Sequence, residues 1–387
     1  MQLNLSSISI KMSEDPPSFK KMSSSFSWST KIGESKETRH KKVKKHKQVN
    51  QYLLLTELGE GSFSKVYLGQ DQSTLKYYAL KRVFLMELSK TSSGIQQLET
   101  EIEIMRKIKH PNIISLREVI HVVEDSLVYI VIEFADCGNL SSVLESGFKF
   151  TPEQIQNIFA QVISGISFLH QNCIVHQDIK PSNILIKSNG RVLISDFGIG
   201  HSFAYAAMVV GTPAYQAPEV IDDSEIFDLS SENLSNFEED ISSENSNVTP
   251  GEEDVWSLGV TLYELVFHDL PFYGGNVFEI VRSIVMTDEL DPPGPCDPTL
   301  WDLITKMLTV DPKKRITMQE IMEHPYLANA STEKNVIEGL KAFVPPVLEP
   351  DAKIKHIKGI VCNENYSFYS SEKPQSILLD GLEGVVY

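Results

Sequence analysis

The fold of this 387-residue chain is decided by the stretch HQDIKPSN at residues 176–183. Within it, Asp178 is followed two residues later by Lys180 and five residues later by Asn183. Asp196 opens an Asp-Phe-Gly triplet eighteen residues after Asp178. Carboxylates and an amide at these spacings suit a hydroxyl-activating base beside a two-metal phosphate clamp. The stretch therefore predicts a site that handles phosphate groups.

A glycine-rich turn lies upstream, with the sequence GEGSFSKV at residues 59–66. Glycines in a hairpin let backbone N–H groups approach phosphate oxygens closely. A predicted strand, not a helix, follows the turn, which separates it from a dinucleotide-binding fingerprint. Ser64 stands where a third glycine is usual, so the turn alone is weak evidence.

A lysine and a glutamate follow the turn on two different predicted elements. Lys81 ends an apolar strand, and Glu101 falls on a helix that stops before Pro111. A lone strand lysine is commonly a solvated edge residue. The alternative is a Lys–Glu pair that links strand to helix and holds phosphates in place.

The chain changes texture from strand-rich to helix-rich near Gly138. Alternating apolar residues and turn signals predict four strands before that point, at Leu53–Leu58, Lys65–Gly69, Tyr77–Arg82 and Ser126–Phe134. Helical spacing predicts one helix among the strands and five after them, at Gln97–Lys109, Pro152–Gln171, Glu253–Val266, Val277–Met286, Pro298–Leu308 and Met318–Met322.

Two further motifs complete a recognisable series, namely Ala-Pro-Glu at residues 217–219 and DVWSLG at residues 254–259. With them, the chain resembles a eukaryotic protein kinase over Tyr52–Leu327, because the whole signature set occurs in order and in the expected structural context. The resemblance implies an α+β bilobal fold, with a small β-rich lobe at residues 52–135 and a larger helical lobe at residues 139–327. It also implies ATP and Mg²⁺ as cofactors and proteins as substrates.

The resemblance carries roles to matching positions. Catalytic roles fall on Asp178, Lys180, Lys81 and Glu101. Mg²⁺ ligands would be Asn183 and Asp196. The nucleotide would contact Leu58, Gly59, Glu60, Gly61, Ser62, Val66, Ala79, Lys81, Ile132, Glu133, Ala135 and Leu185, with Ile132 as gatekeeper.

Other matching positions imply structural roles. Glu219 and Arg315 would form a buried ion pair, and Asp254 would hold the backbone of the catalytic loop. Met105, Leu116, His176 and Phe197 match the side-chain stack that closes in active kinases. Thr212 and Lys180 favour Ser/Thr acceptors over Tyr.

Two positions depart from the usual pattern. Gln177 replaces the arginine that receives an activation-loop phosphate, and Met208 stands where the phosphorylated residue is usual. Both departures predict activity that does not depend on that phosphate, with an activating partner protein as one means of control. In GTPAYQAPE at residues 211–219, the chain is similar to the liver-kinase-B and calmodulin-kinase-kinase types of upstream kinases of AMP-activated protein kinase.

Composition sets limits on the class of protein. The formal net charge is −17, so nucleic-acid binding through the whole surface is not expected. No apolar run is long enough for a membrane span. The four cysteines show no disulfide or zinc spacing, which fits a reducing, cytoplasmic location. The lysine cluster between residues 41 and 47 has two interpretations, a nuclear-import signal or a solvated linker beside the domain.

Residues outside the lobes are expected to be less ordered. Residues 1–50 form a Ser- and Lys-rich tail that is predicted to be disordered, and residues 222–253 form an acidic insert with the same expectation. Residues 328–387 form a C-terminal tail. Its stretch Lys353–Val361 is short and contains Gly359, which argues against calmodulin binding and favours a docked strand or a solvated tail.

The resemblance is compatible with two functional classes, an enzyme and a binding module. A catalytic kinase and a pseudokinase that acts as an allosteric binding module would share the fold. All five residues of the catalytic set are present, which favours the enzyme, namely Lys81, Glu101, Asp178, Asn183 and Asp196.

Overall fold

The computed structural model describes residues 45–91, 94–196, 213–220, 251–287, 290–330, 338–347, 353–364 and 366–368. They form two lobes, which confirms the expected α+β bilobal fold. The small lobe is built on an eight-stranded sheet. Its strands are β1 Lys45–Val49, β2 Tyr52–Gly61, β3 Ser64–Asp71, β4 Tyr77–Phe84, β5 Leu116–Val122, β6 Leu127–Glu133, β9 Lys353–Ile357 and β10 Ile360–Val361.

The sheet curls until its two edges approach each other. The strand order is β10-β5-β6-β4-β3-β2-β1-β9, so β9 and β10 lie at opposite edges. Only Lys358 and Gly359 separate these two strands in the sequence, and an extended chain covers at most about 3.6 Å per residue. The edges must therefore lie close together, with the C-terminal segment joining them.

One long helix packs against the small-lobe sheet. The short helix α1 (Leu85–Leu88) precedes α2 (Gly94–Lys107). Leu98, Ile102 and Met105 recur at helical spacing in α2 and are buried. Their burial turns the helix into part of the main core and fixes the position of Glu101.

The large lobe is mainly helical. Its helices are α3 Leu140–Glu145, α4 Pro152–Gln171, α5 Glu252–Phe267, α6 Val277–Val285, α7 Pro298–Met307 and α8 Met318–Met322. A two-stranded ribbon, β7 Ile184–Ile186 with β8 Val192–Ile194, carries the catalytic loop into the cleft. None of the helices among the described residues is long and apolar enough to cross a membrane.

The start of α4 follows from local sequence. Thr151 accepts a hydrogen bond from the Gln154 N–H at 3.2 Å, and the Gln154 side chain accepts from the Thr151 N–H at 2.8 Å. Pro152 at the first helical position has no N–H to leave unpaired. These three residues predict the boundary that the structure has.

The predicted disorder of residues 1–50 is wrong at its end. Lys45–Val49 form β1, which pairs antiparallel with β2 and parallel with β9. Val49 is fully buried, so the strand is stabilised by tertiary contacts, which the composition of residues 1–50 does not indicate. Residues 1–44 lie outside the described residues.

Two more boundaries change. Helix α5 begins at Glu252, inside the range 222–253 that was assigned to the acidic insert. Gly251 precedes it with φ +105°, and a Cβ there would lie 2.7 Å from the His170 ring, so only glycine fits. Residues 221–250 lie outside the described residues. In the C-terminal tail, the docked-strand alternative for Lys353–Val361 is the one observed.

Candidate active site

A cleft between the lobes brings part of the predicted site together. Strands β3, β4 and β6 form one wall, helix α2 another, and the β7–β8 ribbon the floor. Eight predicted residues line it, namely Val66, Ala79, Lys81, Glu101, Ile132, Glu133, Leu185 and Asp196. The other lining residues have no predicted nucleotide contact, namely Met105, Ile114, Ile130, Ser182 and Ser195.

The glycine-rich turn is a β2–β3 hairpin, and Val66, directly after it, lines the cleft. Gly59 pairs with Val66 and Gly61 with Ser64, which leaves Ser62 at the tip. The Glu60 carboxylate lies 2.7 Å from the Lys65 ammonium and ties the two strands together. Leu58 is buried at the base of the hairpin, beneath the turn. The predicted turn thus lies where its backbone can cover a ligand.

Lys81 joins the two lobes electrostatically. Its Nζ lies 3.4 Å from Glu101 Oε1 and 2.8 Å from Asp196 Oδ1. Burial lowers the pKa of the Lys81 ammonium, but the Asp196 and Glu101 carboxylates raise it by more, so the net shift is upward. The lysine therefore stays charged, as phosphate binding requires.

The two carboxylates respond differently to the same lysine. Burial raises the pKa of Glu101, and the opposing effect of Lys81 is smaller. Burial also raises the pKa of Asp196, but Lys81, together with Lys180 and His176, lowers it by more, so the net shift is downward. Asp196 thus remains ionised, which suits a metal ligand.

The catalytic loop holds Asp178 by two side chains. Lys180 Nζ lies 2.8 Å from the Asp178 carboxylate, and Asn183 Nδ2 donates to Asp178 Oδ2 at 2.8 Å. The Asn183 carbonyl accepts from the Ser195 N–H at 2.9 Å, beside Asp196 in the chain. The four predicted catalytic-loop and metal residues therefore form one connected group.

Asp254 anchors the loop from below, as predicted. Its carboxylate accepts from the backbone N–H groups of His176 and Gln177, both at 2.8 Å, and contacts His170 Nε2 at 2.7 Å. Gln177 has φ +63°, a conformation that costs a non-glycine residue about 1–3 kcal/mol. The hydrogen bonds to a fully buried carboxylate offset this strain and fix the path of the loop.

His176 links the catalytic loop to the strand that carries Asp196. Its Nδ1 accepts from the Asp178 N–H at 3.3 Å, so the proton lies on Nε2, which donates to the Ser195 carbonyl at 3.1 Å. Met105 and Leu116, predicted in the same stack, are buried and half-buried in the main core. Phe197 lies outside the described residues, as do Met208 and Thr212.

The hinge between the lobes carries the gatekeeper. Ile132 pairs with Ala79 across β6 and β4. The Glu133 N–H donates to the Ser115 carbonyl at 3.0 Å, and its carboxylate contacts Lys187 at 2.5 Å. Ala135 follows at the end of the hinge and is buried.

One residue at the hinge, Phe343, is not predicted from the sequence. Phe343, from the C-terminal part of the chain, donates its N–H to the Asp136 carbonyl at 2.6 Å. Its ring lies edge-on to Phe134, with centroids 6.1 Å apart. No local sequence signal marks this contact, because it joins positions about 200 residues apart in the chain.

Asn183 and Asp196 fit a magnesium ion by the chemistry of their donors. Amide and carboxylate oxygens are hard ligands, and Mg²⁺ bound to a nucleotide needs only one or two protein carboxylates beside phosphates and water. In the part of the chain that the structure describes, no group of three or more His, Cys, Asp or Glu forms a closed metal cage. The donor set therefore suits a metal shared with a ligand.

A buried ion pair supports the large lobe. Arg315 Nη1 and Nη2 lie 2.6 and 3.0 Å from the two Glu219 carboxylate oxygens. The Arg315 side chain is fully buried, and it also donates to the carbonyls of Glu252, Thr309 and Val310. This is the predicted pair, and it ties the Ala-Pro-Glu segment to α5.

Arg315→Ala is expected to lower the free energy of unfolding by about 3–5 kcal/mol, because it leaves a mostly buried carboxylate unpaired. Urea unfolding followed by circular dichroism measures this. The matched control is Lys314→Ala, which removes an exposed pair with Asp311 worth about 0–1 kcal/mol. Equal losses in the two variants would contradict the structural role of the pair.

The comparison with known families agrees with this geometry. The family described as "Protein kinase domain" matches residues 52–327. The chain therefore belongs to the protein kinase family. Since the named relatives below are serine/threonine kinases, it is a protein serine/threonine kinase that uses ATP.

Three relatives illustrate the range of the similarity. Serine/threonine-protein kinase STK11 of Gallus gallus is 31% identical over 89% of this chain and 74% of its own length. STK11 of Homo sapiens is 34% identical over 73% of this chain and 62% of its own length. Serine/threonine-protein kinase 36 of Pongo abelii is 31% identical over 73% of this chain, which spans a fifth of that protein.

Proposed function

We propose that this kinase phosphorylates the activation segment of AMP-activated-type protein kinases with Mg-ATP. The observation that carries the proposal is the similarity to STK11, which extends over 353 residues and so reaches beyond the kinase domain. STK11 is a kinase of the liver-kinase-B type, the type to which GTPAYQAPE at residues 211–219 is similar.

The contacts in the cleft support the chemistry in this proposal, whose roles are those that the resemblance implies. Asp178 accepts or orients the proton of the substrate hydroxyl, and Lys180 neutralises charge on the transferring phosphoryl group. Lys81 binds the α- and β-phosphates, held by Glu101. Asn183 and Asp196 would hold Mg²⁺, which would neutralise charge on the phosphate oxygens.

The adenine ring would lie in the apolar part of the same cleft. Val66, Ala79 and Leu185 line it and would enclose the two faces of the ring. The Glu133 N–H already donates to Ser115, so the Glu133 carbonyl is the group offered to the ring edge. The Ala135 N–H would be the second hinge contact.

In this proposal the kinase does not select substrates by an arginine upstream of the acceptor. Arg-directed kinases resemble one another in two carboxylates that receive such an arginine, and the matching positions here are Asn139 and Ser182. Asn139 is fully buried and caps α3 by accepting from the Ser142 N–H at 2.8 Å. Ser182 is buried at the cleft. Neither position offers a carboxylate, so a substrate arginine finds no charged partner there.

Control in this proposal falls to a partner protein. The backbone of Gln177 is held by Asp254, and its side chain carries no charge that could pair with a phosphate. A partner that binds the active conformer more tightly than the inactive one would raise the active population. The resemblance to liver-kinase-B relatives supports this means of activation.

The test uses the purified chain, Mg-ATP and a catalytically inactive AMP-activated-type kinase domain as substrate. Phosphate is expected on the activation-segment threonine by mass spectrometry, and a substrate with that threonine changed to alanine serves as control. Prior treatment of the enzyme with a broad phosphatase should leave the rate unchanged. Transfer to a generic acceptor without transfer to this threonine would contradict the substrate proposal.

A further inference from the structure

The C-terminal segment docks on both edges of the small-lobe sheet. Its strand β9 runs parallel to β1, and its strand β10 pairs antiparallel with β5. The Asn50 side chain donates to the Gly359 carbonyl at 3.1 Å and accepts from the Gly359 N–H at 2.9 Å. Both edges of the sheet are thereby covered by one segment of the chain, which we call the tail clamp (the described residues of 353–368).

The tail clamp continues from the sheet onto helix α2. Arg106 Nη2 donates to the Cys362 carbonyl at 2.8 Å. Glu99 Oε1 accepts from the Phe368 N–H at 2.7 Å and from Ser367 Oγ at 3.0 Å. A cavity of about 240 Å³ lies between the two elements, lined by these residues. The helix and the clamp therefore meet through polar contacts at both ends of this interface.

The clamp also ties α2 to strand β5. The Cys362 N–H donates to the Val119 carbonyl at 2.8 Å. His121 of β5 packs edge-on against Tyr366 and Phe368, with ring centroids 5.6 and 5.4 Å apart. The same few residues of the clamp thus contact the sheet and the helix at once.

Helix α2 has its catalytic residue on the side opposite the clamp. Glu101 lies two residues after Glu99 and five before Arg106, and at 3.6 residues per turn these spacings place it on the other side of the helix. Glu101 lines the cleft, whereas Glu99 and Arg106 line the space at the clamp. The clamp therefore contacts the face of α2 that points away from Lys81, and Glu101 lies on the face that points toward it.

We propose that the tail clamp is a positioning element for catalysis, which holds α2 so that Glu101 stays paired with Lys81. The proposal rests on the role assigned to that ion pair. The pair is 3.4 Å long, compared with 2.8 Å between Lys81 and Asp196, so a small outward shift of α2 would break it. Release of the clamp would therefore lower the rate of transfer without altering the residues of the cleft.

Two variants release the clamp from different sides. Arg106→Ala removes the hydrogen bond from α2 to the Cys362 carbonyl of the clamp. Gly359→Val acts at the sheet, because a Cβ there would lie 2.4 Å from Cγ2 of the fully buried, close-packed Ile120. Both variants are expected to lower kcat/KM for ATP by about tenfold to a hundredfold, the cost of a misplaced catalytic group. Arg106→Lys keeps one donor and should retain part of the activity.

The controls match each change in kind. Lys107→Ala removes a neighbouring exposed charge from the same helix, and Gly294→Val adds the same side chain where no atom lies within 4 Å. Both should keep the kinetics of the unaltered chain. Hydrogen exchange should show faster exchange in α2 and in the clamp for Arg106→Ala and Gly359→Val only.

A third variant separates this proposal from the assignment of the site. Glu101→Gln should itself lower activity, and adding Arg106→Ala to it should cost little more, because both act on one ion pair. If Glu101→Gln has no effect, the assigned pair is wrong. If Glu101→Gln lowers activity but the clamp variants do not, the clamp proposal is overturned. A clamp that stays protected from exchange in both release variants would overturn it equally.

Discussion

Asp196→Asn is expected to lower kcat by at least about 10²–10³-fold, the usual cost of removing one preorganised charge from a transition state. The asparagine keeps the shape of the side chain but loses the charge that faces Lys81 at 2.8 Å and that would hold Mg²⁺. Steady-state transfer to a peptide acceptor at saturating Mg-ATP measures this loss.

The same variant has a predictable effect on stability. The pKa of Asp196 is lowered in the folded chain, so its charge stabilises the fold above the ordinary carboxyl pKa, and this stabilisation is lost as the pH falls. The difference in unfolding free energy between Asp196→Asn and the unaltered chain should therefore shrink as the pH falls below about 4. A difference that grows on acidification would contradict the contact.

The matched control for Asp196→Asn is Asp297→Asn. Asp297 also has a lowered pKa, because Thr299 and the start of α7 donate hydrogen bonds to it. Asparagine caps a helix about as well as aspartate, and the position lies outside the cleft. Transfer rates should stay unchanged there, and near-normal turnover by Asp196→Asn itself would show that the site is assigned wrongly.

Lys81→Met is expected to lower kcat/KM for ATP by about 10²-fold or more, because the charge-assisted contacts to phosphate oxygens disappear. It also leaves Glu101 and Asp196 without their shared counter-charge in a buried setting. Lys306→Met is the control, since it removes a half-exposed helical pair with Asp302.

A double-mutant cycle tests whether Lys81 acts with Glu101. If the two form one unit, Lys81→Met should cost much less in the Glu101→Gln background than alone. Independent, additive losses would show that the ion pair does not contribute to transfer.

Local sequence predicts an element well when both its pattern and its ends are encoded nearby. Helix α4 has the bounds that its helical spacing predicts, and Thr151, Pro152 and Gln154 cap its start. Helix α8 was predicted equally well, and Thr317 with Glu320 forms the same kind of capping box there. Helix α2 was predicted three residues late, since Gly94 gives no starting signal.

The site was easier to predict than the fold around it. Motif spacing marks Lys81, Glu101, Asp178, Asn183 and Asp196. In the structure Lys81, Glu101 and Asp196 line one cleft, and the hydrogen-bonded pair Asp178 and Asn183 is joined to Ser195 of the same cleft. Motifs encode chemistry in residue type and order, which a single sequence displays directly.

A docked strand is one predicted alternative for Lys353–Val361, but the sequence does not identify the distant strands with which this segment pairs. Strand β1 has a single fully buried apolar residue, Val49, and β10 has two residues, so neither shows a period that identifies a strand. Strand β1 forms because β2 and β9 offer backbone groups to pair with, and β10 forms because β5 offers an unpaired edge. The hinge contact of Phe343 and the clamp contacts of Arg106 have the same origin.

The most direct test of the central claim is transfer of labelled γ-phosphate from Mg-ATP by the purified chain to a peptide library containing Ser, Thr and Tyr acceptors. Phosphoamino-acid analysis should find phosphoserine and phosphothreonine, and Asp178→Asn purified in parallel should give no transfer. The account would be contradicted if the unaltered chain transferred no phosphate with Mg²⁺, either alone or with an added activating partner. Transfer that survives in Asp178→Asn would contradict it equally.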